Sequence, residues 1–168
     1  MPRRFLHRHQ PPHPSCWGWI KAGLGGAVGI AGIGLLGDVT SMPLLLAPFG
    51  ASSVLLFALP DSPLSQPANV IGGHLVAALL SIALAAVLPH TWWAAGMAVG
   101  LVIAVTAALR LTHPPAGADP LVVFLGAPAA EVFMGSVIVG STFLVLTAVL
   151  LHSLPPKRTP YPLPAASG

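Results

Sequence analysis

The chain has 168 residues, of which 55% are hydrophobic and only 7% are charged, with a formal net charge of +3. Soluble domains carry about a quarter charged residues, so this composition excludes an ordinary soluble domain and predicts an integral membrane protein in a lipid bilayer. The Lys and Arg residues lie mostly near the two chain ends, which argues against a nucleic-acid-binding patch. The single cysteine excludes an internal disulfide and a cysteine-based zinc cluster.

Both ends of the sequence differ from its middle. Residues 1–15 are rich in Pro, His and Arg and are expected to form a disordered basic tail, and the Pro-rich tail 155–168 is expected to be disordered too. Basic residues at both ends predict that both termini are cytoplasmic, and the N-terminal stretch lacks a convincing cleavage site. We therefore expect a multi-pass protein of a bacterial inner membrane with an uncleaved anchor.

Four apolar runs predict membrane-spanning helices, because each has close to the ~20 residues needed to cross a ~30 Å hydrocarbon core. The runs are Gly18 to Leu36, Val70 to Leu88, Trp92 to Leu109 and Val132 to Leu151. None of them alternates in the manner of a β-barrel strand. The predicted fold class is therefore an all-α polytopic membrane protein with four long helices, and its transmembrane domain covers residues 16–154.

The first of these runs is rich in glycine. Gly25 and Gly29 form a GxxxG pattern, and Gly18, Ala22 and Gly26 recur at every fourth residue. Small residues at this spacing let helix backbones approach closely in lipid. We expect this face to be buried against protein, either within the same chain or in a homo-oligomer.

Two shorter apolar segments, "PLLLAPFGASSVLLFALP" and "PPAGADPLVVFLGAPA", contain Pro and Gly and predict short, broken membrane elements. Residues 48–57 align with residues 115–124, and Pro, Gly, Ala and Phe coincide at four of ten positions. The sequence thus predicts an internal two-fold repeat with halves at about 17–89 and 92–154. If the short elements re-enter the membrane, four spans and parallel copies result; if they cross it, six spans and inverted copies result.

Polar residues gather around the two broken elements and suggest an anion site. Where a helix restarts after Pro and Gly, free N–H groups and the positive end of the helix dipole can bind an anion. Arg110 is the only Lys or Arg between Lys21 and Lys157. The predicted substrate-binding residues are Gly50, Ser52, Ser53, Asn69, Arg110, Thr112, His113 and Gly117. Helix capping by the serines and Asn69, and a backbone bond from Thr112, are the structural alternatives.

A second set, His74, His113 and Asp119, is predicted to relay protons, because ionisable groups at membrane depth are often functional. The alternatives are two structural histidines and an Asp119 that caps a helix or forms a turn. These residues are too few to predict a metal site, and no cofactor is expected. The sequence shows no Ser-centred elbow, H-E-x-x-H, phosphate loop or CxxC, so we do not expect an enzyme.

Residues 47–75 and 111–127, the second with the tripeptide His-Pro-Pro at position 113, resemble the signature blocks of the HPP family of integral membrane proteins. The resemblance covers about residues 17–154 and implies a membrane domain with four spanning helices. Plant and cyanobacterial members are associated with nitrite transport across plastid and plasma membranes. Many bacterial relatives carry C-terminal CBS domains, and we expect a membrane domain without them here.

The leading functional expectation is a transporter or channel for a small inorganic anion, with nitrite as the first candidate. Backbone amides of the broken elements and Arg110 would hold the anion, while His74 and His113 relay protons. One alternative is a non-transporting membrane module that binds or regulates a partner through its Gly-rich helix. Another is a cation or metal permease that would use both histidines, Asp119 and Asp61.

Overall fold

The computed structural model describes residues 16–155 and 158–164, so the predicted N-terminal tail lies outside the described residues. Within them the chain forms α-helices and two 3₁₀ turns and no strand, which confirms the all-α fold class. The helices are α1 (Cys16–Thr40), α2 (Ala47–Ala58), α3 (Pro67–Ala85), α4 (Trp92–Ala108), α5 (Asp119–Gly126) and α6 (Ala130–Ser153). The 3₁₀ turns lie at Pro63–Ser65 and Pro114–Ala118.

Three helices of the described chain, α1, α3 and α6, are long and apolar enough to cross a membrane. The expected count of four long helices is not matched, because α4 has 17 residues and ends at Ala108. The amide of Leu111 donates to the carbonyl of Thr106, and Arg110 has a positive φ of 56°. A left-handed residue after the last turn is the usual way in which a helix stops.

The end of α1 repeats this geometry. Ser41 has a φ of 57°, and the amide of Met42 donates to the carbonyl of Gly37 over 3.2 Å. In each predicted half, a left-handed residue thus ends the first helix and turns the backbone toward a short element. The first half has the predicted order of long helix, short element and long helix, whereas the second half begins with the 17-residue α4.

The short elements cannot cross a bilayer as helices on their own. At about 1.5 Å per residue, α2 rises about 18 Å and α5 about 12 Å, against a hydrocarbon core of about 30 Å. Proline fits the first turn of both, Pro48 in α2 and Pro120 in α5, because its missing N–H has no helical partner there. Both short elements are therefore short helices with a proline in the first turn, and each lies between two longer helices in the sequence.

The Gly-rich face of α1 is covered by its own chain. Gly25 and Gly29 are buried, and a Cβ at Gly29 would lie 3.0 Å from the Phe57 ring of α2 and 3.1 Å from Leu144 of α6. Gly23 and Gly26 have no neighbour within 4 Å of a Cβ. The GxxxG pattern therefore packs within the chain, as one of the two sequence-based alternatives expected.

Residues 158–164 pack against the turn after α2, in contrast to the disordered tail that was expected. Tyr161 is buried, and its hydroxyl donates to the carbonyl of Ser65 over 2.9 Å. The amide of Leu163 donates to Oε1 of Gln66 over 2.9 Å. Burial raises the pKa of Tyr161 above its ordinary value, so the hydroxyl stays protonated as a donor.

Candidate functional site

Ser52 lies in the middle of α2, where its side chain meets two histidines. Its Oγ is 2.9 Å from Nε2 of His74 and 2.8 Å from Nε2 of His113. Ser52 is inside the helix, so it does not cap α2, and it has no exposed surface. A hydroxyl can donate one hydrogen bond and accept two, which suits a group placed between two imidazoles.

The other ring nitrogens of the two histidines are held as well. Nδ1 of His74 is 2.9 Å from Oδ2 of Asp119, the first residue of α5. Nδ1 of His113 donates to the carbonyl oxygen of Leu64 over 2.8 Å. The two imidazole centroids are 5.1 Å apart, with the planes at 65°.

Ser52, His74, His113 and Asp119 form one hydrogen-bonded unit, which we call the polar cluster. Each of its residues is at most 3% exposed, and no ionisable side chain other than His74 contacts Asp119 among the residues that the structure describes. Oδ1 of Asp119 is also buried, and it has no hydrogen-bond partner among the described residues. The polar cluster is therefore buried away from solvent, and Oδ1 of Asp119 is the one acceptor of the cluster that has no hydrogen bond within the described residues.

A glycine lets α3 approach the second broken element closely enough for these bonds. A Cβ at Gly73 would lie 2.9 Å from both Cβ of His113 and the carbonyl oxygen of Leu111. His113 itself is extended, with φ −136° and ψ 102°, as expected for a residue before proline. The extended residue passes directly over Gly73, which brings its ring beside that of His74.

The polar cluster also relates the two predicted repeats. In the alignment of residues 48–57 with 115–124, Ser52 and Asp119 occupy equivalent positions. The structure brings these two side chains to opposite nitrogens of the same His74 ring. One residue from each broken element thus meets at a single imidazole of α3.

All three residues of the predicted proton relay, His74, His113 and Asp119, lie in the polar cluster. Asp119 does not cap the N-terminus of α5, because its carboxyl bonds to His74 and Ala118 occupies that cap position. Of the predicted anion-binding residues, Ser52 and His113 also belong to it.

The remaining predicted anion-binding residues lie outside the polar cluster. Ser53 donates to the carbonyl of Phe49, Asn69 donates to the carbonyl of Thr112, and Arg110 is exposed. A Cβ at Gly50 or Gly117 would meet no atom within 4 Å, so neither glycine marks a close backbone approach. The structure therefore separates the lone cation of the middle region from the buried polar groups.

Two features of the site had no clear signal in the sequence. The carbonyl of Leu64 holds His113, but a backbone acceptor cannot be read from a residue type. Phe49 contacts His74 edge-on, with centroids 5.3 Å apart, and also lines an apolar cavity of about 280 Å³ between α1 and α2. Phe49 is thus the side chain between this cavity and the polar cluster.

The geometry suits proton transfer better than metal binding. Within the described residues, no group of three or more His, Cys, Asp or Glu side chains is arranged to hold a metal ion. Asp61, which the permease alternative would use, is exposed and outside the polar cluster. Short bonds between imidazole, hydroxyl and carboxyl groups can pass a proton from one group to the next.

The family model described as "HPP, transmembrane region" matches residues 11–162. This chain belongs to the HPP transmembrane family. The match includes the polar cluster and both broken elements. Since the family is a membrane family and the described chain carries three long apolar helices, the protein is membrane-embedded.

Two curated relatives, both transmembrane proteins of Dictyostelium discoideum, are similar to this chain. One is 32% identical over 131 residues, covering 73% of this chain and 45% of the relative, and the other is 32% identical over 160 residues, covering 88% and 50%. The chain thus spans about half the length of the curated relatives that it matches. No solved structure matches it.

Proposed function

We propose that this HPP membrane domain transports a small inorganic anion and that the polar cluster is its proton-handling site. The observation that carries the proposal is the buried hydrogen-bonded connection from Asp119 through His74 and Ser52 to His113. It joins both broken elements to α3 inside a largely apolar bundle. Such a connection supports the movement of protons that can accompany anion transport.

The energetic argument starts from what burial costs. Polar groups buried without partners cost several kcal/mol at membrane depth, and ionisable groups there usually mark a proton or ion pathway. A bundle that only had to pack could use apolar side chains at all four positions. Asp119 leaves Oδ1 buried without a partner among the described residues, so the polar cluster is not optimised for stability alone.

Nitrite is the first candidate substrate, because the resemblance to nitrite-associated HPP members is what points to a particular anion. Arg110 is exposed at the end of α4, so its proposed role is to attract the anion at the surface rather than to hold it in the polar cluster. The proposed location remains a bacterial inner membrane, and the positions of the basic residues support the proposal that both termini are cytoplasmic.

A hydrolase is the competing function that the geometry raises. Ser52, His74 and Asp119 have the atom order of a serine-hydrolase triad, with Nε2 toward Ser and Nδ1 toward Asp. In such a triad the serine hydroxyl donates to one imidazole that acts as its base, whereas Oγ of Ser52 is shared between Nε2 of His74 and Nε2 of His113. A fluorophosphonate probe should therefore not label Ser52 in the intact protein; stoichiometric labelling would favour the hydrolase.

Flux measurement tests the proposal. The full chain is reconstituted into liposomes, and uptake of nitrite, nitrate and formate is measured after subtraction of rates in protein-free liposomes, since the conjugate acid of nitrite crosses bare lipid. We expect saturable uptake of at least one of these anions, lost in His74→Gln and retained in Ser81→Ala. Ser81 is the matched control because it is a buried serine of α3 whose hydroxyl donates only to Ala77.

The other outcomes assign the alternatives. No uptake of any of the three anions would contradict the proposal and favour the non-transporting module. Currents that reverse with a cation gradient would favour the cation or metal permease. Crosslinking in the same liposomes would show whether the proposed pathway is formed within one copy or in a homo-oligomer.

A further inference from the structure

We infer that the polar cluster binds an anion only together with one proton. The added proton releases the Ser52 hydroxyl from its bond as a donor to a histidine, so that the hydroxyl can donate to the anion instead. This inference rests on the proposed transport function and names the form in which the substrate is accepted. It follows from counting the protons that the observed hydrogen bonds require. The count begins at Leu64, where the direction of one bond is fixed.

A carbonyl oxygen can only accept, so Nδ1 of His113 carries the proton in its bond to Leu64. When His113 is neutral, its Nε2 has no proton, and the hydroxyl of Ser52 must donate to it. Ser52 has only one proton, so it must accept from Nε2 of His74. The donor in each hydrogen bond is thereby determined by the donor in the bond before it.

The last bond then fixes the state of Asp119. A neutral His74 that is protonated at Nε2 has a bare Nδ1, so Oδ2 of Asp119 must be a protonated carboxyl that donates to it. Oδ1 has no partner among the described residues, and a neutral carboxyl tolerates this better than a buried carboxylate. The resting polar cluster is therefore neutral, with Asp119 as a carboxylic acid.

The same bonds explain how a proton crosses the cluster. If all three bonds between the side chains reverse, Asp119 becomes a carboxylate and His113 an imidazolium, while every observed bond is kept. One proton has then moved in effect from Asp119 to His113. Ser52 is indispensable in this exchange because its hydroxyl donates to His113 and accepts from His74 before the reversal, and donates to His74 and accepts from His113 after it.

Adding one proton to the neutral cluster changes Ser52. With His113 as an imidazolium and Asp119 still protonated, both histidines donate to Ser52 through Nε2. Ser52 accepts both bonds on its two lone pairs, and its own hydroxyl proton no longer has a partner in the cluster. The added proton thus supplies a positive charge and a free donor together, which are the two things that an anion requires.

No other charged group of the described chain is placed to supply this charge. The titratable side chains that α3, α5 and the second 3₁₀ turn bring to the site are those of the cluster itself; α2 and α4 contain none. The other charged or titratable side chains lie elsewhere: Asp38, Asp61, Arg110, Glu131 and Arg158 are exposed, Lys21 donates to the carbonyl of Leu154, and His90 and His152 bond to the carbonyls of Phe124 and Leu56. A bare anion would therefore meet a neutral cluster without a free donor.

Equilibrium binding gives the first test. Nitrite is added to the detergent-solubilised full chain in weakly buffered solution near neutral pH, and proton uptake is followed with an indicator. We expect about one proton taken up per nitrite bound, because the two binding steps are linked. Removing Ser52 in S52A should weaken nitrite binding by about tenfold or more, the effect of losing a hydrogen bond to a charged group. S81A should bind as the wild type does.

A second variant keeps the test decisive if Ser52→Ala does not fold. The amide of Asp119→Asn can donate to His74 as the carboxylic acid does, but it cannot release a proton. We expect this variant to retain proton-linked nitrite binding and to lose at least about tenfold in transport rate in liposomes. A purely structural role for Asp119 would instead reduce binding and transport together and would overturn the inference.

The two proposals can fail separately. Nitrite binding without proton uptake, or nitrite transport that accelerates with a positive interior potential, would overturn the inference and leave anion transport intact. Electroneutral uptake that acidifies the liposome interior supports it. If none of nitrite, nitrate and formate is bound or transported, both the inference and the proposed function fall.

Discussion

The two broken elements occupy equivalent places in the predicted repeat and meet the same histidine, but they offer it different chemistry. α2 presents Ser52 to Nε2 of His74, and α5 presents Asp119 to Nδ1. A hydroxyl can reverse its hydrogen bonds but does not ionise near neutral pH, whereas a carboxyl can hold or release a proton. In the proposed mechanism the halves of the predicted repeat therefore share proton handling, since α2 supplies the group that redirects a proton and α5 the group that stores one.

The backbone differs between the halves in the same region. α2 is a continuous helix of 12 residues, while the second element divides into the 3₁₀ turn Pro114–Ala118 and the eight-residue α5. The turn begins with Pro114, which disfavours a helical conformation at His113. The second half thus contributes two members of the polar cluster from one interrupted element, and the first broken element contributes one.

Removing the shared histidine should have the largest effect on this arrangement. His74→Leu leaves Ser52 and Asp119 without their common partner, and we expect a loss of about 2–5 kcal/mol in the free energy of unfolding. Thermal denaturation in detergent measures it. His90→Leu is the control, since His90 makes one part-buried bond to the carbonyl of Phe124 and should cost only about 1 kcal/mol. Equal losses in the two variants would contradict the account.

Separating the halves without touching a polar group should have the next largest effect. Gly73→Ala places a methyl against His113 and the carbonyl of Leu111, so we expect a loss of about 1–3 kcal/mol, together with impaired transport. Gly96→Ala, in the open part of α4, should not destabilise. A Gly73→Ala protein with wild-type stability would show that close contact of α3 with His113 is not needed.

The C-terminal segment should have a smaller influence. Tyr161→Phe removes the hydroxyl that donates to Ser65, next to the residue whose carbonyl holds His113. We expect a loss of about 1 kcal/mol, read as a lower thermal midpoint. Transport should remain, because the ring of Tyr161 still fills its buried place. Full loss of transport in this variant would mean that the segment itself belongs to the pathway.

The smallest effect compares the left-handed residues that end α1 and α4. Glycine is the preferred residue there, so Ser41→Gly and Arg110→Gly should each stabilise the protein by up to about 1 kcal/mol. Only Arg110→Gly should raise the apparent KM for the anion, because it removes a surface cation. An unchanged KM would exclude Arg110 from the proposed path of the anion.

The sequence predicts the parts of this site that depend on side-chain type. His74, His113 and Asp119 stand out because ionisable residues are rare in apolar runs, and the predicted relay contains all three. Ser52 is harder to interpret, since a serine near a helix start is also a common cap. Its role depends on which way it faces from α2, and this is set by packing of α2 against its neighbours.

Two residues lie in places that the sequence pattern did not predict. Arg110 was expected at the anion because it is the lone cation of the middle region, but its left-handed conformation ends α4 and leaves its side chain exposed. Tyr161 lay in a Pro-rich tail with no helical period, and only the fold places its ring against His152, with centroids 5.5 Å apart. Long-range packing and backbone direction decided both positions.

Infrared difference spectroscopy of Asp119 tests the central claim most directly. Of the four acidic residues, Asp38, Asp61 and Glu131 are exposed, whereas Asp119 is buried and the bonds of the polar cluster place a proton on its carboxyl when His113 is neutral. The account predicts one carboxylic-acid C=O band in the wild type that disappears in Asp119→Asn. A wild-type spectrum without a protonated carboxyl, or one that this substitution does not change, would contradict it.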